Sequence, residues 1–321
     1  MKLLVTGIAG FIGSHVGERL VRRGDTVVGL DNFDPFYDRA IKERNLAFLR
    51  EHAEVLEGDV TDRACLDRLL ARGGFDAVVH LAALAGVRPS LRAPWRYNLV
   101  NVVGTSHVAE SMLAHGVGRL VFASSSSVYG NNTLVPYEES QRVDAPASPY
   151  AVSKRAGELL LDTMTALFGL TATCLRYFTV YGPRQRPEMA IHKFARLILR
   201  GEPVTVYGDG TSSRDYTYVD DIVDGTVAAL DRAPSGFSIF NLGGTRPVAL
   251  AELVARVGKA LHVEPSLVHE PSQPGDVAHT WANTARAERE LGYVPQVGLE
   301  EGLARFAEWL RRDEAAQDPP R

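Results

Sequence analysis

The chain has 321 residues, 45% hydrophobic and 23% charged, a composition that excludes a disordered or membrane-embedded chain and allows a sizeable core. Lys and Arg number 35 against 39 Asp and Glu, a formal charge of −4, so the basic excess that binding to nucleic-acid backbones needs is missing. Two cysteines, Cys65 and Cys174, cannot form a disulfide framework, nine scattered His show no metal-ligand spacing, and residues 1–6 are too short an apolar run for a signal peptide. We therefore expect a cytoplasmic protein without a metal, membrane or nucleic-acid partner, folded as one large domain or two unequal ones.

Brief apolar runs, often β-branched, predict buried strands over 3–6, 26–30, 54–56, 77–81, 120–123 and 172–175. Amphipathic segments between them predict helices, 12–23 stopped by Gly24 and 62–71 stopped before Gly73-Gly74. This alternation implies an α/β fold with a doubly wound parallel sheet of the Rossmann kind over residues 1–176. Beyond Arg176 short strands, helices and Gly/Pro turns predict a smaller mixed α/β lobe for substrate over 177–311, then a polar, flexible tail over 312–321. Open parallel sheets bind ligands at the carboxyl ends of their strands, so the residues just after each strand matter most.

After the first strand comes Thr6-Gly7-Ile8-Ala9-Gly10-Phe11-Ile12-Gly13, which leads into a helix whose free N–H groups can face a pyrophosphate. The first glycine permits the turn, the second lets the backbone approach phosphate, and the third lets the helix lie close on the strand. Asp31 ends the second strand, where an acid binds a ribose; its charge would repel a 2′-phosphate, which favours NAD over NADP. Asp59, after the third strand, suits either an acceptor for the adenine amino group or an ordinary turn residue. Ala82 and Ala83, after the fourth, suit close backbone approach to a dinucleotide or plain core packing.

Tyr150-Ala151-Val152-Ser153-Lys154 opens a helix, with Ser148-Pro149 as cap and first residue, and the i, i+4 spacing puts phenol and ammonium on one face. With 11 Tyr and few Lys in the chain, the pairing is informative. A phenol of pKa about 10 becomes a usable general base when an ammonium and a cationic nicotinamide lie near it; the plain alternative is an exposed helical pair. The fifth strand runs into Ser124-Ser125-Ser126-Ser127, either a polar loop or a set of hydroxyl donors to a substrate oxygen. No Gly-x-Ser-x-Gly elbow and no phosphate-binding Gly-x-x-x-x-Gly-Lys loop occurs, which removes serine hydrolases and P-loop enzymes.

The ordered set formed by residues 6–13, Asp31-Asn32, Gly58-Asp59-Val60, His80-Leu81-Ala82-Ala83, 124–130, Tyr150 with Lys154, 176–183, Arg214-Asp215-Tyr216 and Pro274-Gly275-Asp276 resembles the extended short-chain dehydrogenase/reductases of the nucleotide-sugar epimerase and dehydratase group, over nearly the whole chain. The resemblance implies tightly bound NAD held by Gly7, Gly10, Phe11, Ile12, Gly13, Asp31, Asn32, Asp59, Val60, Leu81, Ala82, Ala83, Asn101, Tyr150, Lys154 and Tyr177. It implies Ser125 assisting Tyr150 and Lys154 in catalysis. It also implies a UDP-sugar held by Arg88, Ser125, Ser126, Ser127, Thr179, Arg186, Arg214, Gln273 and Asp276, with Arg214 and Asp276 on diphosphate and ribose.

Ser126-Ser127 stand where 4,6-dehydratases carry Asp-Glu, and Thr179 and Gln273 stand where UDP-galactose 4-epimerases usually carry Asn and Arg. The combination of 31–33, Tyr37-Asp38, 85–88, 186–190 and 273–276 is most similar to UDP-glucuronate 4-epimerases, apart from Arg184-Gln185, where that family usually has Trp-Gly close to its sugar contacts. The resemblance thus implies 4-epimerisation of UDP-glucuronate through a 4-keto intermediate, with UDP-glucose or UDP-N-acetylglucosamine as the alternative substrate. A non-catalytic NAD-binding redox sensor fits poorly with an intact Tyr150, Lys154 and Ser125. It further implies a homodimer through long helices over 95–114 and 150–168, whose apolar faces would otherwise pack within their own subunit.

Overall fold

Successive side chains of a strand point to opposite faces, and in β1 (Lys2–Thr6) this sends Leu3 and Val5 into one core and Leu4 into another, all three fully buried. The computed structural model describes residues 1–244, 246–271 and 277–317. It sets β1 among β2 (Thr26–Asp31), β3 (Glu54–Glu57), β4 (Ala77–His80), β5 (Arg119–Ser125) and β6 (Thr171–Tyr177). The rest of the chain adds β7 (Thr179–Tyr181), β8 (Val204–Tyr207), β9 (Ser213–Tyr218), β10 (Phe237–Leu242), β11 (Pro247–Ala249) and β12 (Leu267–Glu270).

A seven-stranded sheet runs in the order β10-β6-β5-β4-β1-β2-β3 with every neighbouring pair parallel. One face packs Leu3, Val5, Val121 and Leu175 against the helices Phe11–Arg22 and Val219–Arg232. The other packs Leu4, Val78, Phe122 and Cys174 against Arg63–Leu70, Gly104–Ala114 and Pro149–Phe168. Strand order reverses between β1 and β4, and at such a switch point the carboxyl ends of a parallel sheet open a crevice. The sheets β11-β9-β7 and β12-β8 build the smaller mixed lobe beside it.

The six strands expected from apolar runs all form: β1, β2 and β3 are one residue longer than expected, β5 and β6 three longer, and β4 one shorter. Gly24 and Gly73 take φ of +96° and +71°, as glycines that end helices do. The sequence reading did not place a strand of the second segment in the large sheet, yet β10 pairs with β6 over Phe237–Leu242, so sheet residues come from both sides of residue 176. The last helix, Leu299–Gln317, carries six residues into the segment expected as a tail over 312–321. The ion pairs Arg44–Asp313 at 3.2 Å and Arg196–Glu314 at 3.9 Å tie it down. The expected helix over 95–114 is unbroken from Pro94 to Ala114, but Asn98–Val103 form a wider π turn inside it. Among the described residues no helix is long and apolar enough to cross a membrane.

Candidate active site

The glycine turn is built by sterics. Gly7 has φ of +73°, a region L side chains avoid, and a Cβ on Gly13 would sit 2.0 Å from the Gly7 carbonyl oxygen, so only glycine lets the first helix start this close to β1. Asp31 closes the turn: its carboxylate accepts from the amides of Ala9 at 3.1 Å and Phe33 at 2.8 Å. Asn32 donates to Asp59 at 2.8 Å.

Under the loop that follows β4 lies a buried chain of hydrogen bonds. The Ala82 amide donates to the Thr6 hydroxyl at 3.2 Å, and Thr6 meets His80 Nδ1 at 2.7 Å. On the other side His80 Nε2 meets the Thr105 hydroxyl at 3.1 Å, and that hydroxyl donates its one proton to the Asn101 carbonyl at 2.6 Å. Thr105 must therefore accept from Nε2–H, leaving Nδ1 to accept from Thr6, which requires a neutral ring. Burial, with the charge of Lys154 adding to it, pushes the His80 pKa down to about 3 and keeps that form.

β5 ends at Ser124-Ser125, and the Ser125 hydroxyl accepts the Ser127 amide at 3.1 Å, folding Ser126–Tyr129 into a tight turn. Across from it Ser148 accepts the Ala151 amide at 3.2 Å and starts the Pro149–Phe168 helix, as its Ser-Pro sequence predicts. That helix brings Tyr150 beside Ser125 on the cavity wall. Burial raises the phenol's pKa, while Ser125 and the Arg186 charge favour the phenolate. Lys154 donates to the Ala123 carbonyl at 2.7 Å, and burial lowers its pKa to about 7. Below them Glu158, fully buried, accepts from Ser124 Oγ at 2.6 Å and from Arg176 Nε and Nη2, both at 2.9 Å.

One cavity of about 670 Å³ joins these parts. Its wall includes Gly7, Gly10, Phe11, Ile12, Gly13, Asp31, Asn32, Val60, Leu81, Ala82, Ala83 and Tyr177, together with Ser125, Tyr150 and Lys154, and Arg88, Ser126, Ser127, Thr179, Arg186 and Arg214. A glycine cradle that no Cβ could enter and an acid at the end of β2 fit a dinucleotide. Arg88 stacks on Tyr207 at 4.8 Å, and Arg186 pairs with Glu188 at 3.1 Å over Phe36.

Three positions do not face the cavity. Asn101 does not line the cavity. Its amide donates to Leu84 O and Ser153 Oγ, both at 2.9 Å, and accepts the Leu84 amide at 2.8 Å, so both of its N–H donors are used within the protein. Asp59 is likewise absent from the cavity wall, unlike its neighbours Gly58 and Val60, because it accepts from the Thr61 amide and hydroxyl in a local turn. The Arg184-Gln185 departure lies outside the cavity too: Arg184 pairs with Glu18 at 2.6 Å, and Gln185 is buried against Val180 and His192. Gln273 and Asp276 lie outside the described residues. Lys42, Lys193, Tyr207 and Tyr216 also line the cavity and were missed. A signal for the lysines was at hand, since the chain uses Arg almost everywhere else it needs a cation.

The chain matches the NAD dependent epimerase/dehydratase family over residues 3–243. UDP-glucuronate 4-epimerase 3 of Arabidopsis thaliana is 44% identical, over 96% of this chain and 76% of the relative. UDP-glucuronate 4-epimerase of Thermodesulfobacterium geofontis is 40% identical, over 97% of this chain and 96% of its own. Among solved structures, UDP-glucuronic acid 4-epimerase from Bacillus cereus, in complex with UDP-glucuronic acid and NAD, superposes with a TM-score of 0.91 at 35% identity, covering 97% of this chain and 99% of that one. With the glycine cradle, the Tyr150–Lys154 helix and the seven-stranded parallel sheet all inside the matched span, this chain belongs to the NAD dependent epimerase/dehydratase family.

Proposed function

We propose that this protein interconverts UDP-glucuronate and UDP-galacturonate by epimerisation at carbon 4. The observation that carries the reading is the single cavity in which the dinucleotide cradle, the Tyr150–Ser125 pair and a hydroxyl- and arginine-lined end are continuous, with serines at 126 and 127 where dehydration would need acids. NAD held by the Gly7–Gly13 cradle and Asp31 would supply the hydride chemistry at carbon 4. Tyr150 accepts the proton of the carbon-4 hydroxyl and later gives it back; Ser125 and the Arg186 charge favour the phenolate, and Lys154, one helical turn along on the same cavity wall, is the residue proposed to assist it. Purified protein given UDP-glucuronate without added NAD should form UDP-galacturonate. Turnover of UDP-glucose or UDP-N-acetylglucosamine but not of UDP-glucuronate would reassign the substrate, and no turnover of any UDP-sugar would overturn the reading.

Ser126, Ser127 and Thr179 are proposed to hold the substrate carboxylate, with Arg88 and Arg186 on the same wall. The 4-keto intermediate is a β-keto acid, and such acids lose carbon dioxide most readily when the breaking bond stands perpendicular to the ketone plane. Hydroxyl donors that fix the carboxylate in another orientation, while keeping its charge solvated, suppress that loss. Thr179→Ala and Ser127→Ala are therefore expected to weaken UDP-glucuronate binding about tenfold each, or to release UDP-pentose detectable by mass spectrometry. Wild-type binding and clean epimerisation in both would show that these hydroxyls are not the clamp.

We also propose a homodimer. Trp95, Leu99 and Val103 recur every fourth residue on one helix, Val152 and Leu159 seven apart on another, and all are exposed, Trp95 at 66% and Leu159 at 50%. Solvated apolar stripes on two adjacent helices fit a four-helix contact across a twofold axis. Leu159→Asp is expected to yield monomer by light scattering at micromolar concentration, where the parent is a dimer; a monomeric parent would reject the proposal.

A further inference from the structure

The helix Arg39–Asn45 is fastened at both ends. Asp38 caps it by accepting the Ala40 amide at 2.8 Å, and Asn45 donates to the Ala9 carbonyl of the glycine turn at 3.1 Å. Between these anchors sits Lys42, buried at 5% exposure, lining the same cavity as Gly7, Gly10 and Asp31. Its ammonium is 3.7 Å from Asp31 Oδ1 and 4.9 Å from the centre of the Tyr37 ring. A 3.7 Å ion pair is longer than a hydrogen bond, so Asp31 neutralises the ammonium without saturating its three donors. The usual argument that an acid at the end of β2 repels a 2′-phosphate assumes a lone negative charge. Here the acid and a fixed cation share the site, so taking the carboxylate away would leave a positive charge there and not a neutral wall.

We propose that Lys42 and Asp31 form a two-residue reader of the 2′ position of the adenosine ribose, in which the carboxylate alone excludes a 2′-phosphate and Lys42 is a built-in cation able to bind one. Removing a single carboxylate then turns the preference from NAD towards NADP with no cation introduced, because burial, the Tyr37 ring and the anchored helix already hold the ammonium in place. The proposal rests on the reading of the cavity as a dinucleotide site with its ribose at Asp31.

The test measures NADH and NADPH affinity by nicotinamide fluorescence on cofactor-stripped full-length protein, alongside mass-spectrometric identification of the nucleotide that co-purifies. Asp31→Ser is expected to gain NADPH affinity roughly ten- to a hundredfold, the range of one charge-assisted contact, to lose NADH affinity, and to co-purify with NADP. Asp31→Ser with Lys42→Met should lose that gain, and Asp31→Ser with Lys42→Arg should keep most of it, which separates loss of the cation from general damage to the site. Equal NADPH binding by Asp31→Ser and its Lys42→Met derivative would overturn the role of Lys42. Unchanged NADH affinity in Asp31→Ser would instead overturn the placement of the ribose at Asp31, and the proposal with it. Should Asp31→Ser not fold, Lys42→Met alone decides: it should weaken NADH binding several-fold, and no change would refute the pairing.

Discussion

Tyr150→Phe is expected to lower kcat for UDP-glucuronate roughly 10²- to 10⁴-fold, the range a positioned general acid–base supplies, while leaving the fold and the bound dinucleotide in place. The substitution removes one oxygen. The ring of Tyr150, packed edge-on against Tyr97 at 6.2 Å, keeps its contact, and Tyr97 stays anchored through its own bond to the Ala85 carbonyl at 3.1 Å. The Ser125 hydroxyl still accepts the Ser127 amide, so the turn at the end of β5 persists. The check is paired: steady-state turnover by product chromatography, and the amount of NAD released on denaturing the variant. Retention of more than about a tenth of wild-type activity would remove Tyr150 as the proton acceptor.

The largest expected effect on stability belongs to Glu158→Ala. Arg176 is 1% exposed and Glu158 fully buried, and removing the carboxylate strands a guanidinium that already has one nitrogen, Nη1, without a hydrogen-bond partner. Breaking a buried pair from one side costs about 3–5 kcal/mol, and here Ser124 also loses the acceptor of its 2.6 Å bond. The cation–π contact of Arg176 with the Tyr129 ring at 4.8 Å offsets little of this. As a control, Asp144→Ala breaks a solvent-exposed pair with Arg142 and should change stability by less than about 1 kcal/mol. Urea unfolding midpoints of the two variants decide the matter. A Glu158→Ala protein within about 1 kcal/mol of its parent would mean that water reaches the pair.

The Rossmann half was readable because its signals are local. Each of β1, β2 and β4 to β6 is a short apolar run whose alternating side chains meet helices on both faces, and the helices end at glycines that must take positive φ. Tyr150, Lys154 and Ser125 were readable for the same reason, since one helical turn and one strand end fix their placement. Whatever depends on partners far along the chain was not. Phe237–Leu242 has the composition of a strand, but nothing in it tells that it pairs with a strand some 65 residues earlier. The π turn aims the Asn101 amide at Leu84 and Ser153, contacts that its own stretch of sequence does not announce. Nothing local to the sequence around Lys42 marks it, and the fold over the glycine turn buries it beside Asp31.

The return of β10 to the edge of the large sheet decides how the two lobes can move. The smaller lobe leaves the sheet at Tyr177, one residue before β7, and re-enters it at Phe237. A wall attached at one end can swing; one riveted at both ends by parallel ladders can only flex. Arg186 and Glu188, paired at 3.1 Å on the cavity wall, lie in the chain that leaves the sheet between these two attachments. The same topology means that neither lobe can be excised as an independent folding unit: cutting the chain at residue 176 would strip β6 of its neighbour and leave the ladder edge of the main sheet bare.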